Sequence, residues 1–321
     1  MDQAFWLEAP GRGRIRAVDL HKPADDEVLI RTVHSAVSRG TELLVFRGGV
    51  PESQREAMRA PFQEGDFPAP VKYGYLNVGV VEHGPDTLRG RTVFCLYPHQ
   101  TRYVVPASAV TVVPDGVPAA RAVLAGTVET AVNAAWDAAP RVGDRIAVVG
   151  AGMVGACVAA VLSGIPAARV QLVDVNPARA SVAAALGVDF ATPSRAAGDC
   201  DLVVHASATE EGLARSLELL APEGVVIELS WYGDRPVTVP LGEWFHSRRL
   251  TVRSSQVGHI PPGRGRGFAD RMAIALELLA DPRFEALITD ECRFADLPAA
   301  MDRLASSEPS SLCLRVNYDN A

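Results

Sequence analysis

The sequence predicts an α/β protein with a strand-rich domain followed by a doubly wound parallel sheet. Two domains are expected because single hydrophobic cores stop growing at about 250 to 300 residues, and this chain has 321. Near Pro118 short extended runs give way to alanine-rich stretches that alternate with β-branched apolar runs, as in βαβ units. We therefore assign residues 1–117 to the strand-rich domain, residues 118–257 to the parallel sheet, and residues 258–321 to a segment that returns to the first domain.

The individual elements follow from the periodicity of each run and from the residues that bound it. In the first domain, short β-branched runs end at Gly, Pro or Asp, which is typical of strands; the predicted strands are 27–33, 79–82 and 92–96. In the second domain, strands are predicted at 145–149, 169–173, 201–205, 225–229 and 250–254. Alanine-rich patterns predict helices at 152–163, 178–186 and, beyond that domain, 269–280.

The composition excludes several classes of partner. The formal net charge is −7, so the basic footprint of a nucleic-acid-binding protein is missing. No segment reaches the roughly 18 consecutive apolar residues of a membrane span, and the N-terminus lacks the pattern of a secretory signal. The five cysteines are scattered, with no two at metal-ligand spacing, which indicates reduced thiols. We expect a cytoplasmic protein with no nucleic-acid or membrane partner.

A glycine-rich turn is the strongest functional signal. The run Ile-Ala-Val-Val, residues 146–149, leads directly into Gly-Ala-Gly-Met-Val-Gly, residues 150–155, and then into a predicted helix. In this pattern Gly150 permits the tight turn, Gly152 lets the backbone approach a pyrophosphate, and Gly155 lets helix and strand pack closely. Met153 and Val154 follow at the helix N-terminus, where N–H groups and the helix dipole favour phosphate. The alternative is a glycine-rich turn that binds no dinucleotide.

An acidic residue follows the second predicted strand at the spacing of a Rossmann domain. Asp174 lies 174 − 155 = 19 residues after the third glycine, close to the expected spacing of about 20. A carboxylate there accepts hydrogen bonds from the ribose hydroxyls and repels a 2′-phosphate, which favours NAD over NADP. Val175 follows it, and Arg179 lies near enough to keep NADP open. The alternative for Asp174 is a helix N-cap ahead of Asn176 and Pro177.

The strand-rich first lobe, the central Rossmann domain and the C-terminal return together resemble the medium-chain dehydrogenase/reductase superfamily, over nearly the whole chain. Ser-Arg-Gly-Thr-Glu, residues 38–42, stands where the zinc alcohol dehydrogenases of that superfamily carry a Cys-Gly-Thr-Asp-like segment, so Arg39 replaces the first zinc ligand. Residues 74–79 match the motif Gly-His-Glu-x-x-Gly, with Tyr75 at the His and Leu76 at the Glu. The resemblance implies that residues 1–117 form a GroES-like catalytic domain.

The resemblance also predicts that no zinc is bound. The third ligand position falls near Val123 or Leu124, and only Cys95 occupies the region where relatives carry a four-cysteine structural zinc lobe. Zinc requires thiolate, imidazole or carboxylate ligands, and these positions supply none. The Ser-x-Gly-Thr-Glu segment is most similar to the branch that includes the bacteriochlorophyllide hydroxyethyl dehydrogenase, which is too narrow a likeness to indicate a substrate.

Without a metal, other side chains must manage charge on the reacting oxygen. By the matched positions, Arg39, Thr41, Glu42 and Tyr75 should cluster where relatives bind zinc, with Tyr75 donating a proton and Arg39 stabilising an oxyanion or holding an anionic substrate. Thr41 matches the hydroxyl that passes protons in the zinc enzymes. His99 lies in the shortened connection and is a further candidate, or a structural histidine. Alternatively, Tyr75 fills the metal cavity and Arg39 pairs with Glu42.

The resemblance extends the cofactor site to the ends of later strands. Ala206 and Ser207 are expected to approach the cofactor ribose through backbone groups. The residues expected to line the nicotinamide are Thr127, Ser230, Trp231 and Ser255. His205 either lines the cofactor or packs in the core, and Trp231 and Tyr232 either line it or cap the sheet.

These features predict an NAD(P)-dependent, zinc-independent oxidoreductase that acts on a small alcohol or carbonyl compound. One alternative is an enone or quinone reductase, since zinc-free relatives often reduce conjugated double bonds. Another is a dinucleotide-binding protein without catalysis. The resemblance further implies a homodimer, with the substrate between the two domains.

Overall fold

The computed structural model describes residues 1–263, 265–306 and 311–318. The chain divides into two compact units, one of residues 1–126 with 288–321 and one of residues 127–287. The strands are β1 (Asp2–Ala9), β2 (Arg12–Val18), β3 (Glu27–Ser38), β4 (Glu64–Gly65), β5 (Val71–Lys72), β6 (Asn77–His83), β7 (Thr92–Cys95), β8 (Arg102–Pro106), β9 (Val110–Val112), β10 (Arg145–Val149), β11 (Arg169–Val173), β12 (Asp189–Ala191), β13 (Cys200–His205), β14 (Leu220–Glu228), β15 (Thr251–Ser254), β16 (Ile288–Arg293) and β17 (Cys313–Asn317). The α-helices are α1 (Arg39–Phe46), α2 (Ala119–Ala122), α3 (Ala125–Ala138), α4 (Met153–Ser163), α5 (Ala180–Leu186), α6 (Glu210–Glu218), α7 (Trp244–Ser247), α8 (Phe268–Leu278) and α9 (Leu297–Ser306).

The first unit, which we call unit 1, is built on mostly antiparallel sheets. One sheet has the order β16-β17-β3-β6-β7-β9, with β8 also paired to β3, and a second has the order β2-β1-β5-β4. Strand β3 is long because β17 pairs with its second half while β8 pairs with its first half. Its buried positions, together with α1 and α9, surround a core that contains Phe46, Phe294 and Met301.

The second unit, which we call unit 2, is a parallel α/β sheet with the order β12-β11-β10-β13-β14-β15. Every neighbouring pair in it is parallel. This is the doubly wound order in which ligands bind beyond the carboxyl ends of the strands, where the winding reverses. Here the reversal lies between β10 and β13, so the residues that follow these two strands form the expected binding edge.

The predicted α/β class is confirmed, and so are the elements around the glycine-rich turn. Strands 145–149 and 169–173 match β10 and β11 residue for residue, and the helix predicted at 152–163 begins one residue later, at Met153. The helix predicted at 178–186 starts as a 3-10 turn before α5. Strand β3 continues to Ser38 rather than ending at residue 33, because pairing with β17 extends it.

The units divide after residues 126 and 287, whereas the sequence placed boundaries at 117 and 257. The physical reason for the later boundary is α8, whose Arg271 is 1% exposed and donates to Glu129 Oε1 and Asn133 Oδ1 of α3. This buried network holds α8 in unit 2. The chain then returns to unit 1 through β16 and β17, as the sequence indicated.

Two further features concern the described part of the chain as a whole. No helix there is long and apolar enough to cross a membrane. No disulfide forms within the described residues, which include all five cysteines.

Candidate functional site

Two of the three glycines in the turn after β10 are required by contacts with other atoms of the chain. Gly150 has φ +106°, and an added Cβ would lie 2.7 Å from Ser207 N and 2.8 Å from Ala206 C. At Gly155, an added Cβ would lie 1.9 Å from Gly150 O. Gly150 therefore allows the turn against the chain after β13, and Gly155 allows α4 to approach the turn.

Gly152 has a different relation to its surroundings. An added Cβ there would meet no atom of the described residues within 4 Å, so the packing of the chain itself does not require a glycine. Gly152 is the N-cap of α4 and has no side chain with which to cap the N–H groups of Val154 and Gly155. A cradle of this kind, open at the helix N-terminus, suits a diphosphate.

Asp174 connects the end of β11 to the glycine-rich turn. Its Oδ2 accepts a hydrogen bond of 2.7 Å from Ala151 N, and its Oδ1 accepts one of 2.8 Å from Asn176 N. The N-cap of the following 3-10 turn is Asn176, whose side chain accepts from Ala178 N, so the capping alternative for Asp174 is wrong. A carboxylate has about four acceptor sites, which leaves Asp174 able to accept from a ribose hydroxyl as well.

Two neighbours of Asp174 differ in exposure. Val175 is 81% exposed and Arg179 is 8% exposed. Burial lowers the pKa of Arg179, and the nearby negative charge of Asp174 opposes that effect. Arg179 therefore lies close enough to Asp174 for their charges to interact.

The ends of β13 and β14 provide the other predicted cofactor residues. Ala206 and Ser207 lie against Gly150, and Ser230 Oγ accepts from Ala208 N at 3.0 Å. Trp231 follows and is 39% exposed. The structure therefore brings these residues to the same edge of unit 2 as the glycine-rich turn.

Thr127 and Ser255 have structural surroundings in unit 2. Thr127 is buried near the start of α3. The hydroxyl of Ser255 donates to Asp137 Oδ2 at 2.6 Å and accepts from Asn133 Nδ2 at 3.2 Å. Both partners of Ser255 lie on α3, so its side chain joins the end of β15 to that helix.

In unit 1 the predicted acid–base residues surround a buried hydrogen-bonded cluster. His99 Nε2 lies 2.8 Å from Glu42 Oε2, and His99 Nδ1 lies 2.7 Å from Ser35 Oγ. The cluster continues from Ser35 Oγ to the hydroxyl of Tyr318 at 2.9 Å. His99 and Glu42 are 1% and 4% exposed, so the His99 side chain cannot contact a substrate directly, and its burial favours the alternative of a structural histidine.

Tyr75 adjoins this cluster and is partly exposed. Burial and the charge of Glu42 raise the pKa of Tyr75 to about 12, and the nearby side chains of Ser38 and Thr41 oppose this rise. At neutral pH its hydroxyl is therefore protonated and can donate. Glu42 also accepts from Ser38 N at 2.8 Å, which ties the carboxylate to the start of α1.

The residues at the zinc positions of the resembling enzymes do not fit a zinc ion. Arg39 opens α1 and is half-buried, and Leu124 is fully buried. Guanidinium and alkyl groups are not zinc ligands. Within the described residues, no group of three His, Cys, Asp or Glu side chains is arranged to hold a metal ion.

The sequence analysis did not identify Ser35 and Tyr318 of the hydrogen-bonded cluster in unit 1, nor Glu228, which lies opposite His205 in unit 2. Ser35 and Tyr318 are 283 positions apart, so no local pattern connects them. Glu228 left a signal, because it is a carboxylate that ends an apolar strand beside His205, which ends the neighbouring strand.

Comparisons with known proteins give a consistent fold. No family model matches the chain. An alcohol dehydrogenase of Cupriavidus necator is 25% identical over 238 residues, which cover 68% of this chain and 62% of the relative. The match thus spans less than two thirds of that relative's length.

Solved structures match nearly the whole chain. The 2R,3R-butanediol dehydrogenase of Bacillus subtilis superposes with a TM-score of 0.81 at 17% identity, covering 99% of this chain and 100% of the other. A zinc-binding dehydrogenase, so named provisionally, from Sinorhizobium meliloti bound to NADP has a TM-score of 0.80 at 15% identity, with 99% of each chain covered. The chain therefore has the fold of the medium-chain, zinc-type alcohol dehydrogenases, with a Rossmann unit and a GroES-like unit.

Proposed function

From this shared fold, we propose that the chain is an NAD(P)-dependent oxidoreductase that transfers a hydride between nicotinamide and an alcohol or carbonyl compound without a catalytic zinc. The observation that carries the proposal is the arrangement of β10, the glycine-rich turn, α4 and Asp174. Two of its glycines satisfy the chain's own packing, and Gly152 is the one that packing does not require. A bound diphosphate supplies the reason for glycine at that position.

The dinucleotide, when bound, supplies hydride exchange at C4 of its nicotinamide ring. Gly150, Gly152, Gly155 and the first N–H groups of α4 would hold the diphosphate, and Asp174 would accept from the adenosine ribose. The remaining residues proposed to contact the cofactor are Thr127, Ala206, Ser207, Ser230, Trp231 and Ser255.

Unit 1 would supply the acid–base chemistry. Tyr75 holds a proton on its hydroxyl because its pKa is raised to about 12. When a hydride adds to the carbonyl carbon, the carbonyl oxygen becomes an alkoxide. An alkoxide is more basic than a phenolate, so the proton would move from Tyr75 to that oxygen. The negative charge of Glu42 raises the pKa of Tyr75, so the tyrosine hydroxyl keeps its proton until the substrate oxygen becomes basic. Arg39 would stabilise negative charge on the substrate.

The coenzyme preference follows from Asp174 and Arg179. We propose NAD as the main coenzyme, because the Asp174 carboxylate repels a 2′-phosphate. NADP stays the second candidate, because Arg179 is close to Asp174 and the Sinorhizobium meliloti structure is bound to NADP.

The proposed protein is a cytoplasmic homodimer with a small-molecule substrate and no nucleic-acid or membrane partner. The support for the dimer is β15, which ends the strand order of unit 2 and exposes all four of its residues, including Val252. An exposed edge strand favours pairing with another strand. Sedimentation of the native protein and of Val252→Arg tests this, and a wild-type monomer at micromolar concentration would contradict it.

Binding and turnover experiments test the proposed function directly. Purified protein is titrated with NADH and NADPH by fluorescence, then supplied with a panel of ketones, enones and quinones, and its metal content is measured by elemental analysis. The proposal expects NADH binding, consumption of NADH with ketones, and no stoichiometric zinc. Consumption with enones or quinones alone supports the reductase alternative, and binding without any consumption supports a non-catalytic role. Zinc at one ion per chain would contradict the metal-free chemistry.

A further inference from the structure

A second histidine–glutamate pair lies in unit 2, at the edge of the proposed dinucleotide site. His205 is the last residue of β13 and is completely buried. Its Nδ1 lies 2.7 Å from Glu228 Oε2, and its Nε2 lies 2.6 Å from Ser207 Oγ. Glu228 ends β14 and is opposite His205 in the parallel register. These three side chains form one continuous hydrogen-bonded path.

The surroundings of His205 fix the ring in place. Ser230 N donates to Glu228 Oε1 at 2.7 Å, and the hydroxyl of Tyr232 donates to Glu228 Oε2 at 3.3 Å. The Tyr232 and Ser230 hydroxyls lie 3.4 and 3.3 Å from His205 Nδ1. Both oxygens of Glu228 therefore have donors, and His205 Nδ1–H donates to that carboxylate.

The other titratable and charged groups near the pair do not replace Glu228 as its counter-charge. Burial and the charge of Glu228 raise the pKa of Tyr232 to about 12, so its hydroxyl stays protonated. Arg235 lies over the Tyr232 ring at 5.8 Å and donates to Ala208 O, so its charge is beside the tyrosine. Among the described residues, Glu228 is the carboxylate that hydrogen-bonds the imidazole.

Helix α6 closes the path from the other side. An added Cβ at Gly212 would lie 2.1 Å from Ser207 Oγ and 2.7 Å from His205 Nε2. Thr209 caps α6 by accepting from Gly212 N, and its hydroxyl lies 2.9 Å from Ser207 Oγ. The Ser207 hydroxyl thus has fixed neighbours in His205 and Thr209, and its hydrogen has few directions available.

The protonation state of His205 decides the direction of that hydrogen. In neutral imidazole with a proton on Nδ1, Nε2 is an acceptor, so Ser207 must donate to it. In imidazolium, Nε2–H donates to Ser207 Oγ, and the serine hydrogen is available to another acceptor. Ser207 N lies 2.7 Å from the position of a Cβ on Gly150. The backbone of Ser207 therefore lies beside the turn proposed to hold the diphosphate.

We propose that His205 is a positioning residue that controls, through Ser207, how strongly the site binds an anionic diphosphate oxygen. The proposal rests on the proposed dinucleotide site. Protonated His205 makes Ser207 a donor toward a phosphate oxygen, whereas neutral His205 leaves only acceptor lone pairs on Ser207 to face that anion. Imidazole is the side chain that ordinarily changes charge between about pH 5 and 8. Binding is strongest when the His205 imidazole is protonated and weaker when it is neutral.

The experiment measures the dissociation constants of NADH and ADP-ribose from pH 5.5 to 8.5 by calorimetry. NADH is used instead of NADPH because a phosphate monoester itself titrates in this range, and ADP-ribose provides a probe that cannot react. Loss of one hydrogen bond to a charged group predicts binding about tenfold weaker at the high end of the range. The 15N resonances of the His205 ring, identified by their absence in His205→Gln, report which ring nitrogens carry a proton at each pH.

Three variants separate the proposed role from a structural one. Ser207→Ala and His205→Gln should each flatten the pH dependence, with affinity close to the high-pH value of the wild type throughout. His246→Gln, at an exposed histidine of the same unit, is the matched control and should keep the wild-type profile. Circular dichroism reports whether each variant folds, and Ser207→Ala keeps the test valid if His205→Gln does not fold.

The outcomes distinguish this inference from the proposed function. NADH binding with a flat profile in the wild type, or a wild-type profile in Ser207→Ala, overturns the role of His205 and leaves the oxidoreductase proposal intact. A folded wild-type protein that binds neither probe at any pH overturns both.

Discussion

Each unit contains a hydrogen-bonded path that runs from a serine through a histidine to a glutamate, but the surroundings of the two paths differ. In unit 1, Ser35, His99 and Glu42 are joined at 2.7 and 2.8 Å. In unit 2, Ser207, His205 and Glu228 are joined at 2.6 and 2.7 Å. The ring nitrogens are exchanged, since Nε2 faces the carboxylate in unit 1 and Nδ1 faces it in unit 2.

The difference lies at the serine end. Ser35 is fully buried and its hydroxyl is also bonded to Tyr318, so the unit 1 path ends inside the core. Ser207 is partly exposed and lies against the glycine-rich turn. A path closed at both ends holds neighbouring groups in place, whereas a path with one accessible end can pass a change of protonation to a ligand. We therefore assign a fixed supporting role to the unit 1 path and an adjustable one to the unit 2 path.

The largest expected effect concerns the group that the unit 1 path supports. Tyr75→Phe should lower kcat by about 10²- to 10⁴-fold, the usual contribution of a general acid, because the substrate oxygen loses its proton donor. NADH affinity should stay unchanged, since the proposed nucleotide site is in unit 2. Steady-state kinetics and an NADH titration of the same preparation measure the two quantities.

Tyr73→Phe is the matched control, because Tyr73 is two positions away, its ring is 6.0 Å from that of Tyr75, and its hydroxyl donates to Met58 O. It should retain wild-type kcat. Equal kcat in all three proteins would show that Tyr75 only fills space.

The second effect compares the two carboxylates. Glu42→Ala should lower the free energy of unfolding by about 3 kcal/mol, because removal of one partner from a buried pair leaves the other without compensation. Glu228→Ala should cost less, about 1 to 2 kcal/mol, because Glu228 is 13% exposed whereas Glu42 is 4% exposed. Urea unfolding measures both. A larger loss in Glu228→Ala would contradict the distinction between a closed and an accessible path.

The third effect concerns coenzyme choice in unit 2. Asp174→Ala should weaken NADH binding about tenfold, by loss of a charge-assisted acceptor, and weaken NADPH binding less, because the same change removes repulsion of the 2′-phosphate. The substitution also removes the acceptor for Ala151 N, whose hydrogen bond holds the turn, and this loss weakens the binding of both coenzymes. The ratio of the two dissociation constants is therefore the informative measure. Asp189→Ala, at an exposed carboxylate of β12, is the control. An unchanged ratio would count against NAD as the main coenzyme.

Local sequence predicted the parts of the molecule whose cause is local. The turn at Gly150 needs a backbone conformation with φ +106°, and the spacing from Gly155 to Asp174 follows from one strand–helix–strand unit. Both are visible in the sequence. The carboxyl ends of β10, β11, β13 and β15 were also predicted at the observed residues, because apolar runs end there. Strand β12 and the first five residues of β14 were not predicted.

Contacts that depend on register or on distant pairing could not be predicted in the same way. His205 meets Glu228 because β13 and β14 are in a particular register, and Ser255 is held by Asp137 from a helix 118 positions earlier. The buried position of His99 depends on contacts with Ser35 and Glu42, 64 and 57 positions away. Side-chain type suggested chemistry at His99 but carried no information about its burial.

The smallest effect compares the tyrosine of each path. Tyr318→Phe removes a hydroxyl that lies 2.9 Å from Ser35 Oγ in a residue that is 7% exposed, so Ser35 keeps a buried polar atom with one partner fewer, at a cost of about 1 to 2 kcal/mol. Tyr232→Phe removes a donor at 3.3 Å from Glu228 Oε2, an oxygen that still accepts from His205. Its cost should be about 0.5 kcal/mol, at the low end for a hydrogen bond. Urea midpoints at constant m-value measure the difference.

Tyr232→Phe should also keep the pH dependence of NADH binding, because the path from Glu228 through His205 to Ser207 does not pass through the tyrosine hydroxyl. A flat profile in Tyr232→Phe would show that the pH dependence requires the Tyr232 hydroxyl. In that case the two paths would differ by their tyrosines rather than by the accessibility of their serines, and the supporting and adjustable roles would have to be assigned on that basis.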